Sequence, residues 1–275
     1  MTNTDPILVI GGTGTTGRRI ARLLAERGRA VRVASRSAAH RFDWTDPATW
    51  DAALDGVRTA YVVPNDTEPH TPELVAAARD RGLERMVLLS ARGSDDPGYY
   101  ADRRNTDNGH LQGEQALSAS GLEWTVLRPT WFAQNFTEGF FSPLVEAGDL
   151  RLPTGEGACP FVDADDIAEV AVAALTGDGH QGRTYELTGP RPLTLHEVAR
   201  VFTAATGRTV VHTPVTPDAF IAEQTGAGVP ADLAEVLADL MGPLARGREA
   251  HPSTGVEDAL GRPPRSLEDT LSRRG

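Results

Sequence analysis

Short, wholly apolar runs alternate with longer amphipathic runs from Pro6 to about Leu127. The apolar runs include ILVI, TAYVV, MVLLS and WTVLR, and amphipathic runs such as TGRRIARLLAERG and EPHTPELVAAARDRG lie between them. Strands that are apolar throughout are buried on both faces, which is typical of a parallel sheet covered by helices on each side. The sequence therefore predicts an α/β fold with a doubly wound parallel sheet.

Glycines follow four of the amphipathic runs. Glycine accepts the left-handed conformation that closes a helix C-terminus, so each is expected to end a helix. The four residues are Gly28, Gly56, Gly82 and Gly121. VRVAS predicts a second strand, and RFD, from Arg41 to Asp43, predicts a further short one.

The rhythm of the sequence changes after Arg128. DADDIAEVAVAALTG predicts a helix that packs back on the sheet, and TYELTG predicts a strand. TLHEVARVFTAATG predicts a helix that opens with a capping box, in which Thr194 and Glu197 satisfy each other's backbone N–H groups. Three or four helices are expected after Pro217, separated by proline-containing breaks.

A glycine-rich segment, VIGGTGTTGRR, follows the first predicted strand and opens the first predicted helix. It fits two dinucleotide-binding templates, G-x-G-x-x-G and G-x-x-G-x-x-G, whose glycines permit a tight turn, close approach of pyrophosphate and close helix packing. The helix N-terminus also offers free N–H groups to phosphates. An ordinary glycine-rich turn is the alternative. We predict a dinucleotide site formed by Gly11, Gly12, Thr13, Gly14, Thr15, Thr16 and Gly17.

We expect the chain to form two domains, one for the dinucleotide and one for the substrate. Residues 1–133 are expected to form an NAD(P)-binding domain of the Rossmann type, which also receives roughly residues 160–188. Residues 134–159 and 189–275 are expected to form a smaller, mainly helical C-terminal lobe that binds the substrate.

The end of the second strand favours NADP(H) over NAD(H). An acidic residue there would accept a hydrogen bond from the ribose of NAD, whereas this chain has Arg36 between two serines. Arginine suits a 2′-phosphate because its planar fork donates twice to phosphate oxygens. Arg18 could assist, and Asp43 could accept from the adenine amino group. A solvated charge at Arg36 and a turn-forming role for Asp43 are the alternatives.

The chain resembles the atypical short-chain dehydrogenase/reductases, specifically the NmrA-like NAD(P)-binding proteins that include quinone reductases and clavine-type reductases. The resemblance lies in GGTGTTGRR, VRVASRS, LLSARG, SGLEWTVLRPTWFAQNF, PFVDADDIAEVAVAAL and VEDALGRPPRSLEDTL, which span nearly the whole chain in order. The family includes catalysts and cofactor-sensing regulators, so the resemblance implies the fold and the cofactor more sharply than the activity.

The catalytic Tyr-x-x-x-Lys pair of the usual short-chain reductase is missing, and the chain has no lysine. Ser90 follows MVLL, where the resemblance implies a serine that orients the substrate. The next predicted helix begins near Asp107 or Asn108, and its i, i+4 pair is His110 and Glu114. His110 could donate a proton, and Glu114 could accept from cofactor ribose hydroxyls. A purely structural pair is the alternative.

Aromatic residues are expected to line a substrate site at the carboxyl edge of the sheet. Tyr99 and Tyr100 lie in a loop after the strand MVLLS, which suits a lining or lid role. By resemblance, RPTWFAQNF lies near the nicotinamide, and its aromatic and amide side chains would suit a hydrophobic or aromatic small molecule. Several of them could equally belong to the core. The candidates are Trp131, Phe132, Asn135 and Phe136.

Composition excludes several classes of function. The net charge of −11 at pH 7 and the pI of about 5.1 provide no positive footprint for nucleic acid. No apolar run approaches the ~20 residues of a membrane helix, so we expect a cytoplasmic protein without a membrane partner, either monomer or homodimer. Scattered histidines and the lone Cys159 predict no metal site and an inert thiol. The acidic run DADDIAE is interpreted as favourable charge at a helix N-terminus.

Our leading hypothesis is an NADPH-dependent oxidoreductase that transfers hydride to a quinone, enone or iminium-type small molecule. Such acceptors are electrophilic enough for positioning of the nicotinamide to supply most of the catalysis. Two alternatives stay open: a non-catalytic NADP(H)-sensing regulator, and a biosynthetic tailoring enzyme that couples or rearranges a polyketide-like substrate with the cofactor bound.

Overall fold

A computed structural model describes residues 5–65, 69–100 and 109–273 of the chain. Eleven β-strands lie in these ranges: β1 Ile7–Ile10, β2 Val31–Ser35, β3 His40–Arg41, β4 Thr59–Val62, β5 Arg85–Leu89, β6 Glu123–Pro129, β7 Asp149–Leu152, β8 Ala158–Cys159, β9 Arg183–Leu187, β10 Leu193–Thr194 and β11 Val211–Pro214.

Twelve α-helices lie in the same ranges, together with one 3-10 turn at Ala133–Phe136. The helices are α1 Thr15–Glu26, α2 Ala48–Leu54, α3 Thr71–Asp80, α4 Gly109–Ser118, α5 Ser142–Ala147, α6 Ala164–Thr176, α7 Leu195–Thr206, α8 Pro217–Gly226, α9 Ala231–Leu240, α10 Gly242–Ala245, α11 Gly255–Leu260 and α12 Leu267–Ser272. None of these helices is long and apolar enough to cross a membrane.

Seven strands form one parallel sheet in the order β3-β2-β1-β4-β5-β6-β9. Ile7 of β1 pairs with Val31 of β2 on one side and with Thr59 of β4 on the other. After β1 the chain forms β2 and β3 on one side of it, and then crosses back to form β4 on the other side. A crevice opens at such a reversal, at the carboxyl ends of the strands, and the predicted Rossmann-type sheet is confirmed.

Both faces of the sheet are buried, as the apolar strand runs predict. Ile7 and Val9 of β1 pack with α1 and α6 in one core cluster, whereas Leu8 and Ile10 pack with α2, α3 and α4 in a second. All four residues are at most 2% exposed. Alternate side chains of one strand therefore enter two cores, which explains why β1 shows no polar alternation.

Two local predictions about the helices are confirmed. Thr194 and Glu197 form the capping box of α7, with each side chain bonded to the other's backbone N–H. The four glycines expected to close helices all have positive φ values, between 67° and 82°. They are Gly28, Gly56, Gly82 and Gly121.

A third core cluster lies among residues 131–271 and collects side chains from α5, α7, α8, α9, α10 and α12. Five helices follow Pro217 where three or four were expected, because a single turn, α10, follows α9 directly. The predicted third strand is β3, which ends at Arg41 rather than Asp43. Four short strands, β7, β8, β10 and β11, were not predicted; Gly and Pro dominate the surroundings of β7 and β8. The functional division into two domains stays a prediction.

Candidate functional site

The glycine-rich turn after β1 is so closely packed that two of its glycines leave no room for a Cβ atom. A Cβ on Gly17 would lie 2.3 Å from the carbonyl oxygen of Gly11, and one on Gly12 would lie 2.7 Å from Cγ1 of Val33. Gly11 has a φ of 75°, in the left-handed region that favours glycine. These contacts seat α1 directly on the turn, at the strand-order reversal.

The N-terminus of α1 is open to an anion. Gly14 is the N-cap, and among the described residues no side chain caps the helix and no acid lies in its first turn. Thr13 and Gly14 are exposed and Thr15 is half-buried. Thr16 is buried, and its Oγ1 accepts a 2.9 Å hydrogen bond from Oη of Tyr61 on β4. The positive end of the helix and its free N–H groups fit a pyrophosphate.

Arg18 and Arg19, in the first two turns of α1, face acidic residues. Nη2 of Arg18 lies 2.5 Å from Oε1 of Glu138, and Nη1 of Arg19 lies 2.8 Å from the same oxygen. Nε of Arg19 is 3.1 Å from Oδ1 of Asp165. Arg18 would have to leave Glu138 to reach a 2′-phosphate, so its assisting role stays a prediction.

The end of β2 presents Arg36 to solvent. Oγ of Ser35 accepts hydrogen bonds from the N–H groups of Ser37 (3.3 Å) and Ala38 (3.1 Å), which close a tight turn. Arg36 lies in this turn, is exposed, and makes no ion pair with another residue of the described ranges. An uncommitted guanidinium at this edge suits a phosphate.

Asp43, just after β3, takes part in a local turn. Its Oδ1 accepts from the N–H (3.1 Å) and Oγ1 (3.0 Å) of Thr45, and its Oδ2 lies 3.6 Å from Nη2 of Arg41. The hydrogen bonds from Thr45, aided by the charges of Arg41 and Arg36, hold the pKa of Asp43 below its usual value. Asp43 is thus an ionised acceptor with one oxygen already satisfied locally.

Ser90, Glu114 and Arg128 form one buried polar network. Oγ of Ser90 donates to Oε1 of Glu114, and Glu114 in turn accepts from Nε (3.0 Å) and Nη2 (2.5 Å) of Arg128. Nη1 of Arg128 donates to Oδ2 of Asp95 at 2.6 Å. Burial opposes the charge of Arg128, but the bonds to Glu114 and Asp95 prevail and raise its pKa. Glu114 is therefore committed to Arg128 and Ser90, and its predicted contact with the cofactor ribose would require these bonds to change.

His110 lies one helical turn before Glu114 on α4 and is half-buried. The two side chains share a helix face, as the i, i+4 spacing predicts. The predicted start of this helix at Asp107 or Asn108 lies outside the described residues. His110 stays the candidate proton donor, because the hydroxyl of Ser90 already donates to a carboxylate.

The loop after β5 carries Tyr99 and Tyr100 and is fastened to the segment before α11. Nη2 of Arg246 donates to the carbonyl oxygen of Tyr99 at 2.6 Å, and the guanidinium of Arg248 lies 5.7 Å from the centroid of the Tyr99 ring. Tyr99 is 4% exposed and its ring covers Gly93, whereas Tyr100 is half-buried. Of the two tyrosines, Tyr100 has more surface to offer a substrate.

Oη of Tyr99 is buried beside the carboxylate of Glu249. Burial raises the pKa of Glu249, and burial together with the charge of Glu249 raises the pKa of Tyr99. Nη1 of Arg92 lies 4.0 Å from Oε2 of Glu249 and donates to its backbone oxygen at 3.3 Å. Burial also raises the pKa of the nearby Cys159 thiol. A buried phenol and thiol with raised pKa values are poor acids at neutral pH.

Two of the four predicted substrate residues in RPTWFAQNF differ sharply in their surroundings. Phe136 is 1% exposed, and its ring packs against those of Phe141, Phe161 and Phe202 with centroids 5.1 to 6.0 Å apart. It lies in the third core cluster. Trp131 is half-buried and stacks on Phe141 at 5.6 Å. Trp131 can therefore offer surface to a ligand, whereas Phe136 belongs to the core and does not reach a ligand directly.

The other two, Phe132 and Asn135, are half-buried. Phe132 packs against the first core cluster, and its backbone bridges to Val162. The backbone oxygen of Asn135 accepts from the N–H of Phe141 at 2.8 Å, which holds the 3-10 turn in place. Both residues keep part of their side-chain surface, so their substrate roles stay predictions.

Comparison with known proteins decides the family. A family model described as NAD(P)H-binding matches residues 11–178, which include the glycine turn, Arg36, Ser90 and Glu114. The chain belongs to this NAD(P)H-binding family.

Two curated relatives match over almost their whole lengths. The chain is 34% identical to an uncharacterised oxidoreductase of Bacillus subtilis, over 98% of this chain and 95% of that protein. It is 33% identical to an NAD(P)H azoreductase of Xenophilus azovorans, over 96% of each chain. Among solved structures, the NADPH-dependent quinone oxidoreductase of Escherichia coli with bound NADPH superposes with a TM-score of 0.79 and 23% identity, over 98% of this chain and 99% of that one.

These matches confirm the family resemblance seen in the sequence. The protein is an NAD(P)H-dependent oxidoreductase with a Rossmann-like α/β fold.

Proposed function

We propose that the protein is an NADPH-dependent reductase of small conjugated or aromatic molecules, with a quinone, enone or iminium group as hydride acceptor. The observation that carries this proposal is the N-terminus of α1, which no side chain of the described residues caps and whose first turn holds no acid, together with an exposed Arg36 that pairs with no acid in those same ranges. The first feature suits the pyrophosphate of any dinucleotide, and the second suits a 2′-phosphate.

The residues of the glycine turn fit the group that they would hold. A Cβ on Gly14 would meet only the carbonyl oxygen of Gly11, at 3.2 Å, so its outer side is open for close approach of a pyrophosphate. Thr13 and Thr15 flank this opening. Arg36 would hold the 2′-phosphate and Asp43 the adenine amino group. Bound NADPH supplies the hydride.

The polar network at Ser90 limits which hydride acceptors the site can reduce. The hydroxyl of Ser90 donates to the buried carboxylate of Glu114, so it does not serve as a ready proton donor. A simple ketone needs an acid for its developing alkoxide. In a quinone, enone or iminium, the acceptor carbon gains the hydride while its electron pair moves to a conjugated oxygen, carbon or nitrogen. A quinone or an enone then takes a proton from His110 or from water, whereas a reduced iminium is already a neutral amine and needs none.

The substrate is held by a wall of aromatic surface. Trp131, Phe132 and Tyr100 are half-buried, and Phe140 is 38% exposed. Flat faces of this kind suit a planar, conjugated molecule, with Asn135 as a polar contact. The azoreductase and quinone reductase to which the chain is similar support an aromatic or quinonoid substrate.

Deuterium transfer tests the proposal directly. NADPH labelled at C4 of the nicotinamide is incubated anaerobically with naphthoquinones, cyclic enones and cyclic iminium ions, and the products are analysed by mass spectrometry. We expect one deuterium in the reduced enone or iminium product and stoichiometric NADP⁺. Tight NADPH binding without label transfer to any acceptor would favour the sensor hypothesis instead.

A further inference from the structure

The edge of the sheet beside Arg36 holds a second arginine. Strand β3 pairs with the end of β2, and Arg41 is directly opposite Ser35, the residue before Arg36. Arg36 and Arg41 therefore start from adjacent positions of two paired strands. The charges of both arginines help to lower the pKa of Asp43, so both lie close to this carboxylate at the edge to which a 2′-phosphate would come.

Arg41 is only loosely held by its acidic neighbours. Its Nη2 lies 3.6 Å from Oδ2 of Asp43 and 3.6 Å from Oδ2 of Asp46, longer than a hydrogen bond in both cases. The Arg41 side chain is 61% exposed. Exposed pairs of this length contribute little to stability, so Arg41 is available for a stronger anion.

The two carboxylate oxygens of Asp43 have different partners. Oδ1 accepts both hydrogen bonds from Thr45, which fixes the carboxylate in its turn. Oδ2 has Arg41 as its charged neighbour. A ligand that withdraws Arg41 would leave Oδ2 in place and without this competitor.

We propose that Arg41 is a second ligand for the 2′-phosphate and that its transfer from Asp43 to this phosphate frees Oδ2 of Asp43 for the adenine amino group. The inference rests on the proposed NADPH site. Breaking the Arg41–Asp43 pair would then contribute to the recognition of two groups. Arg41 binds the 2′-phosphate, and Asp43, without the competing cation, binds the adenine amino group. Preference for NADP(H) would then include a contribution from the adenine end, which Arg36 alone does not provide.

Calorimetric binding of NADP⁺ and NAD⁺ tests this exchange without any turnover. For Arg41→Gln we expect NADP⁺ binding to weaken about tenfold, the loss of one charge-assisted contact. NAD⁺ binding should stay the same or tighten, because Asp43 loses its competitor. Arg79→Gln is the matched control: Arg79 is 53% exposed, pairs with Asp80, and lies on α3 away from this edge. It should change neither affinity.

A second variant separates exchange from simple charge loss. Asp43→Asn should weaken NADP⁺ more than NAD⁺ in the wild-type background, and should weaken both equally when Arg41 is already glutamine. Equal weakening of both dinucleotides by Arg41→Gln, or an Asp43→Asn effect independent of Arg41, would overturn the exchange. A wild-type protein that binds NAD⁺ as tightly as NADP⁺ would instead overturn the proposed cofactor preference itself.

Discussion

The carboxylate of Glu114 accepts two hydrogen bonds from the guanidinium of Arg128, Nε to Oε1 at 3.0 Å and Nη2 to Oε2 at 2.5 Å. Both side chains are nearly buried, with 8% and 11% of their surface exposed. The pair joins α4 to the end of β6 and sets the direction in which Ser90 donates. The chain lacks the lysine of the usual catalytic dyad, and in this structure Ser90 is bonded to a buried ion pair between Glu114 and Arg128.

Arg128→Gln should lower the free energy of unfolding by about 3 to 5 kcal/mol, because it leaves the buried carboxylate of Glu114 without its countercharge. Urea denaturation measures this loss. Arg22→Gln is the control, since Arg22 is 54% exposed and its partners Glu26 and Asp165 are 54% and 28% exposed, and it should stay within about 1 kcal/mol of wild type. Equal effects of the two variants would mean that the network at Ser90 is not a buried charge pair.

Gly17→Ala should weaken dinucleotide binding by about a hundredfold, the loss of one or two charge-assisted hydrogen bonds from the N-terminus of α1 to the phosphates. The added Cβ would lie 2.3 Å from Gly11 O and 2.6 Å from Gly12 Cα, so α1 must move off the turn. Calorimetry with NADP⁺ measures the change. Gly226→Ala adds the same atom on α8, where, apart from its chain neighbours and its own helix, no atom of the described residues lies within 4 Å, and should leave binding unchanged. Unaltered affinity in Gly17→Ala would argue against a cofactor seated on this turn.

Glu249 should make the protein less stable as pH rises. Burial raises its pKa in the folded state above the ordinary value of 4.5, so the folded protein holds this proton over a pH range in which the unfolded chain has lost it. Its contribution is fully present below about pH 4.5 and is lost as pH rises through the folded pKa.

Glu249→Gln removes this titration. The free energy of unfolding, measured in urea from pH 4 to 8, should fall less steeply with pH in the variant than in wild type. Glu223→Gln serves as the control, because a hydrogen bond from Arg151 lowers the pKa of Glu223 and it cannot produce the same slope. A wild-type slope that survives in Glu249→Gln would assign the pH dependence to another group.

With a quinone or enone acceptor, His110→Ala should lower kcat about a hundredfold, the usual contribution of a general acid, while NADPH binds within twofold of wild type. Steady-state rates and cofactor affinity are measured on the same preparations. His251→Ala, at an exposed position, should leave both unchanged. Full activity in His110→Ala would make water the proton donor and leave His110 a structural role.

The sheet and the cofactor turn could be predicted because local signals settle them. ILVI and MVLLS are too apolar to be half-exposed strands. The glycines that follow ILVI are required because a Cβ atom on Gly12 or Gly17 would clash with neighbouring atoms. Helix ends followed in the same way from glycine positions and from the capping box at Thr194.

The candidate catalytic region was less predictable because its contacts join distant parts of the chain. Glu114 and Arg128 are 14 residues apart, on different elements, and Tyr99 meets Arg246 across 147 residues. No spacing rule connects such pairs. Phe136 shows the same limit: an aromatic in RPTWFAQNF can face a ligand or the core, and only packing against Phe161 and Phe202 decides.

The proposed reductase activity is tested by anaerobic oxidation of NADPH and of NADH, followed by absorbance, with naphthoquinone, enone and iminium acceptors. We expect turnover with at least one acceptor and a kcat/KM about tenfold or more higher for NADPH than for NADH, the size of one charged contact to the 2′-phosphate. Equal rates with the two cofactors would contradict the role of Arg36, and no oxidation with any acceptor would contradict the proposed reductase.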